Sequence, residues 1–291
     1  MTARQMAFPD LETELRTGDP ERWLILRFAP RRARAGLLAL HVLNLELARI
    51  PDRVEEPLAG ELRLNWWADA LRAALAGRPE RHPVLVQLAG LGEAGIAHDF
   101  ADLESLIEAR RAVLGDAFPV DRAALVAHAR ATSGRLNRLS LQLIEKTMDG
   151  IAGSRHADRE TAAEDLGTAH GLLRILRGLR AEAARGRVLL PATMRGDVRV
   201  RARGLVRGEW PAELRGPIRD IVQEMMRLVS AGRKKAGRVP LALRAPFLLS
   251  VPPAHGIAAL ERAGYDPLRA DLSVAPLRLL TRFWWRMLTG P

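Results

Sequence analysis

The chain of 291 residues contains no cysteine, and aromatic residues make up only 4% of it. Disulfide bridges and thiolate metal sites are therefore excluded, and the absence of cysteine fits a reducing compartment. No apolar run reaches the roughly 18 residues that a membrane-spanning helix requires. The first nine residues lack the apolar core of a secretory signal. We therefore expect a cytoplasmic protein that is soluble or peripheral to a membrane.

Lysine is also scarce, since only three are present and arginine supplies the other 42 of the 45 basic residues. The net charge of +11 would attract anionic lipid, nucleic acid or phosphorylated compounds if it were concentrated in one place. The arginines are instead spread along the chain, as ordinary surface residues would be. The sequence carries no signature of a nucleic-acid-binding module, and we expect no nucleic-acid partner.

Helical periodicity recurs from end to end, and no strand pattern competes with it. Alanine, leucine and arginine dominate, and these residues are among the best helix formers. Asp19 followed by Pro20 is a helix start of the common kind, with an N-cap and then a proline at the first helical position. The expected helices cover residues 20–28, 31–50, 57–76, 83–90, 99–114, 121–148, 158–184, 211–235, 241–251, 254–263 and 276–289, with residues 195–207 irregular. We predict an all-α fold, with residues 1–18 as an N-terminal extension and residues 19–291 as one helical domain.

A first acidic cluster contains Asp52, Glu55 and Glu56. Asp52 and Glu56 are four residues apart, which places two carboxylates on one face of a continuous helix. Carboxylates in such pairs bridge Mg²⁺ to the phosphate oxygens of a substrate. Pro51 and Pro57 flank the cluster, however, and favour a broken helix at this point. The simpler interpretation is that Asp52 caps a turn and that the glutamates are solvated.

A second candidate segment covers residues 166–178 and continues to Pro191. Its basic residues Arg174 and Arg177 fall near one helical face. Arginine does not bind Mg²⁺, but it binds phosphate directly through two parallel hydrogen bonds. Together with Arg187 they are candidates for a metal-free anion site, and a solvated basic face is the alternative.

The two segments together resemble those of the squalene/phytoene synthase family, and the resemblance extends over residues 20–290. In that family each segment carries an Asp-x-x-x-Asp pattern, and the second is preceded by Gln and Asn. Here, by register on residues 175–177, Gly178 and Glu182 stand at the second pair of acidic positions, and Arg174 stands at the Asn position. The second metal-binding pattern is therefore largely lost.

The resemblance implies an isoprenoid-synthase helical bundle that holds a prenyl diphosphate or a lipid in its cavity. If the protein is active, it implies catalysis by Asp52, Glu56 and Glu182, with Glu55 as a further Mg²⁺ ligand. It also implies that a basic segment around Arg31 binds the substrate together with the arginines of the second segment. Such an enzyme would join two farnesyl or geranylgeranyl diphosphates head to head.

Within the family, the string from Asn44 to Ala48 and the paired Trp66 and Trp67 resemble most the branch that includes a mitochondrial complex I assembly factor. That resemblance implies a non-catalytic assembly or binding role for the respiratory NADH dehydrogenase, with complex I subunits as partners. It also implies a location at the inner membrane. An active prenyl transferase is the alternative, and a lipid carrier with neither role is a third.

The last predicted helix is amphipathic. Arg278, Arg282 and Arg286 recur every four residues, and apolar residues including Trp284 and Leu288 cover the other side. A basic helix with tryptophans is suited to the surface of an anionic membrane. The simpler interpretation is a core helix whose arginines face solvent.

Overall fold

The computed structural model describes residues 10–54, 56–95, 99–114, 120–148, 155–195 and 198–290, without the side chains of residues 198–200. All regular structure in these ranges is helical, which confirms the all-α prediction. No helix among the described residues is long and apolar enough to cross a membrane. The chain forms two compact units, one of Met1–Leu114 with Leu143–Asp149 and the other of Gly115–Gln142 with Gly150–Pro291.

The first unit is organised around one apolar helix. Its helices are α1 (Leu11–Gly18), α2 (Pro20–Leu26), α3 (Arg31–Ala48), α4 (Ile50–Arg53), α5 (Pro57–Leu75), α6 (Pro83–Glu93) and α7 (Phe100–Arg111). Helix α3 buries apolar side chains all round, and α1, α2, α6 and α7 pack against it. The N-cap predicted before α2 is confirmed, because the Asp19 carboxylate accepts a hydrogen bond from the Arg22 backbone N–H at 3.1 Å. Helix α1 lies within the predicted extension and buries Leu15 completely.

The second unit is organised around the long helix α10. Its helices are α8 (Arg122–Ala129), α9 (Arg135–Lys146, which continues into the first unit), α10 (His156–Ala184), α11 (Ala192–Arg195), α12 (Val198–Arg207), α13 (Arg215–Ala236), α14 (Val251–Arg262) and α15 (Pro276–Thr289). Helix α10 packs against α8, α12, α13 and α14 and against a 3₁₀ helix at Ala245–Ser250. It therefore carries the second candidate segment through the middle of this unit.

Two parts of the second unit differ from the sequence prediction. Residues 195–207 were expected to be irregular but include α12, whose Leu205 is completely buried. The single helix expected over residues 121–148 is interrupted between α8 and α9 by a π-helical turn, Arg130–Gly134. In this turn the Thr132 hydroxyl donates to the His128 carbonyl at 2.8 Å. Because Gly134 presses against Thr168 and Glu164 of α10, tertiary packing accompanies the widened turn.

Candidate functional site

The first acidic cluster lies on a broken helix in the first unit. Asp52 belongs to the four-residue helix α4, Val54 is extended, and Glu56 is extended immediately before α5 begins. The break expected from Pro51 and Pro57 is therefore confirmed. Asp52 and Glu56 are exposed and lie on separate elements, so they do not share one helical face. Glu55 lies outside the described residues.

Glu46, at the end of α3, is a carboxylate near this cluster that is held by arginines. It accepts hydrogen bonds from Arg53 Nη1 at 2.8 Å and from Arg49 Nη1 at 3.4 Å. Arg49 also bonds to Glu14 of α1. The side chain of Glu46 is only 16% exposed, so these arginines neutralise a carboxylate that has lost much of its water. No sequence pattern predicts a role for Glu46.

Trp67, the second of the two tryptophans after the acidic cluster, packs against His82. Trp67 is buried, and its ring meets that of His82 edge-on with 5.0 Å between centroids. Burial lowers the pKa of His82, and the charges of Glu46 and Glu80 only partly oppose this effect. His82 also caps α6, because its Nδ1 accepts a hydrogen bond from the Val84 backbone N–H at 3.3 Å.

In the second unit, Glu182 lies in the last turn of α10 and is enclosed by arginines. Arg187 donates to Glu182 Oε2 from Nε at 2.9 Å and from Nη2 at 2.6 Å, and Arg185 Nη1 donates to Oε1 at 3.0 Å. The chain reverses at Gly186, whose φ of +78° favours glycine. The Arg187 backbone N–H then returns to the Glu182 carbonyl at 2.9 Å. Two predicted site residues therefore meet, but they bind each other.

The other predicted arginines occupy different surroundings. Arg177 Nη2 donates to the Leu272 carbonyl at 2.8 Å, so this side chain ties α10 to the segment before α15. Arg174 is partly buried one turn earlier on α10. Arg31 is exposed in the first turn of α3 and belongs to the first unit.

The residues at the second metal-binding pattern do not fit Mg²⁺. Gly178 has no side chain, and both carboxylate oxygens of Glu182 already accept hydrogen bonds from guanidinium groups. Mg²⁺ requires several well-placed oxygen ligands in nearly octahedral geometry. Among the described residues of the second unit, no three carboxylate or imidazole side chains converge as a metal would need. We therefore derive no catalytic step through a metal at this position.

Helix α10 also carries a buried charge cluster that the sequence did not predict. Asp165 is 4% exposed, and its carboxylate accepts hydrogen bonds from Arg130 Nη2 and Lys235 Nζ, both at 3.0 Å. Arg130 also bonds to Glu164 at 3.1 Å. The sequence pattern around Asp165 and Glu164 predicts no role for either carboxylate, yet Asp165 is buried. Arg130 and Lys235, the two partners of Asp165, lie 35 and 70 residues away along the chain, so no local pattern revealed the cluster.

Small residues allow α10 to approach the π-helical turn closely. A Cβ atom on Gly167 would lie 2.5 Å from the Ser133 carbonyl oxygen and 2.6 Å from Asn137 Cβ. The Asn137 amide donates to the Ala163 carbonyl at 2.8 Å and to the Pro246 carbonyl at 3.1 Å. His170 is completely buried, and its Nδ1 atom is 3.5 Å from the hydroxyl oxygen of Ser133. This part of the second unit is closely packed and polar.

This helical architecture and its two motif segments define the class of protein. The family model of squalene/phytoene synthases matches residues 15–282, and the chain belongs to this family. Two solved structures have the same fold. A dehydrosqualene synthase superimposes with a TM-score of 0.76 at 16% identity, over 96% of this chain and 95% of the other. A squalene synthase HpnC from Alicyclobacillus acidocaldarius gives a TM-score of 0.70 at 20% identity, over 88% and 94%.

The relatives in sequence are named for another role. The chain is 25% identical to NADH dehydrogenase (ubiquinone) complex I, assembly factor 6, of Homo sapiens over 276 residues, which is 93% of this chain and 80% of the relative. The protein of that name from Rattus norvegicus is 24% identical over the same lengths. The resemblance to the branch with the complex I assembly factor is therefore confirmed at the level of sequence similarity.

Proposed function

We propose that this protein is a non-catalytic assembly or binding factor for respiratory complex I, built on a squalene/phytoene synthase fold. The observation that carries the proposal is the arrangement at the second acidic pattern. Glu182 is held by Arg187 and Arg185, and Gly178 offers no ligand. A prenyl diphosphate enzyme requires metal ions at this pattern to stabilise the leaving pyrophosphate.

The first acidic pattern supports the same conclusion. Asp52 and Glu56 lie on separate elements, and the helix that would align them ends at Arg53. A pair of carboxylates on a broken helix is a weaker Mg²⁺ site, because the ion tolerates little departure from octahedral geometry. The names of the relatives agree with a role in assembly rather than in isoprenoid synthesis.

We further propose that the protein acts at the surface of the inner membrane, where complex I is built, and that complex I subunits are its partners. A lipid or a prenyl diphosphate held in a helical cavity would be a bound ligand in this role and would not be converted to a product. Within the second unit, Arg174 and Arg177 are the candidates to contact its anionic group.

The first experiment measures pyrophosphate release by the purified protein from farnesyl and geranylgeranyl diphosphate, with and without Mg²⁺. A known squalene synthase serves as the positive control. We expect no release above the protein-free background. Mg²⁺-dependent release that disappears in Asp52→Ala would overturn the proposal, because it would identify a working prenyl transferase whose metal is held by Asp52, Glu56 and Glu182.

The second experiment measures NADH dehydrogenase activity in membranes from cells that lack the gene. We expect the NADH dehydrogenase activity to be lower in these membranes than in wild-type membranes. Reintroducing the wild-type gene or the Asp52→Ala variant should restore the activity to the same level. Normal complex I activity without the gene would reject the assembly role, even if the protein releases no pyrophosphate. A lipid carrier would then be the remaining candidate.

A further inference from the structure

A groove in the second unit is lined by four arginines. It lies between α14, α15 and the end of α13 and has a volume of about 470 Å³. Its cationic residues are Arg233, Arg262, Arg282 and Arg286. The remaining lining residues are Val251, Ala254, His255, Ala258, Thr281 and Trp285, and none of them is acidic. The lining of the groove therefore combines a strong positive charge with apolar side chains.

The four guanidinium groups of the groove have no carboxylate within 4 Å among the described residues. Their hydrogen bonds are to neutral groups: Arg262 to the Ala258 carbonyl of its own helix, Arg233 to the Ser250 carbonyl, Arg286 to the Gly290 carbonyl and Arg282 to His255 Nδ1. Three of these contacts are long, at 3.5 Å. Each arginine has five N–H donors, so most remain available to a ligand.

The absence of a carboxylate partner distinguishes these four arginines from several others of the same unit. Elsewhere in the same unit, Arg130 pairs with Glu164, Arg187 with Glu182 and Arg227 with Glu224. At the groove, Arg233 is half-buried, and its pKa is lowered by burial and by the charge of Arg286. Buried Nε of Arg233 has no hydrogen-bond partner among the described residues. An anion in the groove would relieve this repulsion and supply the missing acceptor.

Helix α15 adds an exposed apolar face beside the arginines. At 3.6 residues per turn its side chains fall into three sectors. Leu279, Phe283 and Met287 form the buried sector, and Arg278, Arg282 and Arg286 form the next one. The third sector is exposed and apolar, with Leu277 at 79%, Trp284 at 61%, Trp285 at 65% and Leu288 at 73% exposure. On one side of α15 the arginines thus lie between the buried sector and the exposed apolar sector.

The position of α15 is held from its carboxyl end. Arg244 Nη1 donates to the carbonyls of Met287 and Leu288, the latter at 3.2 Å, and its Nε donates to the Val239 carbonyl at 3.0 Å. The buried sector of α15 packs on α14 and on the 3₁₀ helix Ala245–Ser250. The exposed apolar face is therefore presented by a fixed helix.

We propose that this groove binds the phosphate group of an anionic phospholipid and that Trp285 and Leu288 enter the membrane interface beside it. Guanidinium groups bind phosphate oxygens with paired hydrogen bonds, and tryptophan favours the boundary between head groups and acyl chains. The positive charge of the groove favours a phosphate group as the ligand. The exposed apolar sector beside it favours a phosphate that belongs to a lipid over a soluble phosphate compound. This inference deepens the membrane location proposed above and does not depend on the role in assembly.

The test measures co-sedimentation of the protein with two kinds of vesicle. One kind contains phosphatidylcholine alone, and in the other phosphatidylglycerol replaces about a quarter of the phosphatidylcholine. We expect binding to the anionic vesicles at low salt and at least about a tenfold loss of affinity in the double variant Arg282→Gln, Arg286→Gln. The matched control is Arg78→Gln, Arg81→Gln, which removes the same charge from two exposed residues of the first unit. We expect the control to bind like the wild-type protein.

A second variant and a soluble competitor separate lipid from free phosphate. Trp285→Ser should weaken vesicle binding several-fold without loss of folded structure, because Trp285 is 65% exposed. Glycerol phosphate at millimolar concentration should compete only weakly. The lipid assignment would be overturned in favour of a soluble phosphate compound if glycerol phosphate abolished vesicle binding and Trp285→Ser left that binding unchanged. Equal losses in the groove and control variants, or no vesicle binding by the wild type, would overturn the site itself.

Discussion

Arg187 holds Glu182 through two hydrogen bonds to one carboxylate oxygen, from Nε at 2.9 Å and from Nη2 at 2.6 Å. The pair closes the turn that ends α10, and the left-handed residue Gly186 makes this closure possible. Glu182, the acidic side chain at the second motif, therefore stabilises the turn at the end of α10. A site for metal-bound pyrophosphate would need this carboxylate to be available.

This ion pair should contribute measurably to stability. We expect Arg187→Ala to lower the free energy of unfolding by about 1 kcal/mol, because Glu182 is only 14% exposed and loses two hydrogen bonds. Arg185→Ala should cost less, since Arg185 is half exposed and gives a single bond. Urea denaturation of the three proteins measures both effects. Equal losses in the two variants would mean that the Arg187 contact contributes no more to the free energy of unfolding than the Arg185 contact does.

Two glycines of α10 should respond in opposite ways to alanine. Gly167→Ala should destabilise the protein by about 2 kcal/mol or more, because the new methyl group would meet the Ser133 carbonyl at 2.5 Å. Gly178→Ala should stabilise it by about 0.5–1 kcal/mol, because nothing lies within 4 Å and alanine favours a helix. Thermal or urea denaturation measures both changes. The contrast fails if the two variants shift stability in the same direction.

The buried carboxylate of Asp165 should be costly to neutralise. We expect Asp165→Asn to lower the free energy of unfolding by about 3 kcal/mol, because Arg130 and Lys235 would lose their shared counter-charge. The control is Asp69→Asn, which breaks an exposed pair with Arg72 and should cost less than about 1 kcal/mol. Urea denaturation compares the two variants. A loss at Asp165 no larger than that at Asp69 would contradict a structural role for the buried cluster.

His82 should make stability depend on pH. Its pKa in the folded state lies below the usual 6.5 because the ring is half-buried. The unfolded chain then binds a proton first as the pH falls, so stability should decrease below about pH 6.5 and level off below the folded pKa. We expect His82→Asn, which keeps an acceptor for the Val84 N–H, to lose less stability between pH 7.5 and pH 5. An identical loss in both proteins would show that other groups cause it.

Much of the fold follows from local sequence signals. Asp19 and Pro20 set the start of α2, and Pro276 sets the start of α15, because these residues act through the backbone next to them. Pro51 and Pro57 likewise predict the broken helix at Asp52, since each removes a backbone donor and restricts its neighbour. The sequence also predicts, by register on residues 175–177, that the second motif departs from the family pattern at Gly178 and Arg174.

The environment of the charged groups was decided by tertiary structure. The burial of Asp165 depends on Arg130 and Lys235, which lie 35 and 70 residues away along the chain. The π-helical turn before Arg135 accompanies contact with α10, and the arginine-lined groove forms where α13, α14 and α15 meet. By itself the sequence determined most of the helices and predicted the loss of metal ligands, because both depend on neighbouring residues. Burial and pairing of charge depend on distant residues, so only the folded chain could decide them.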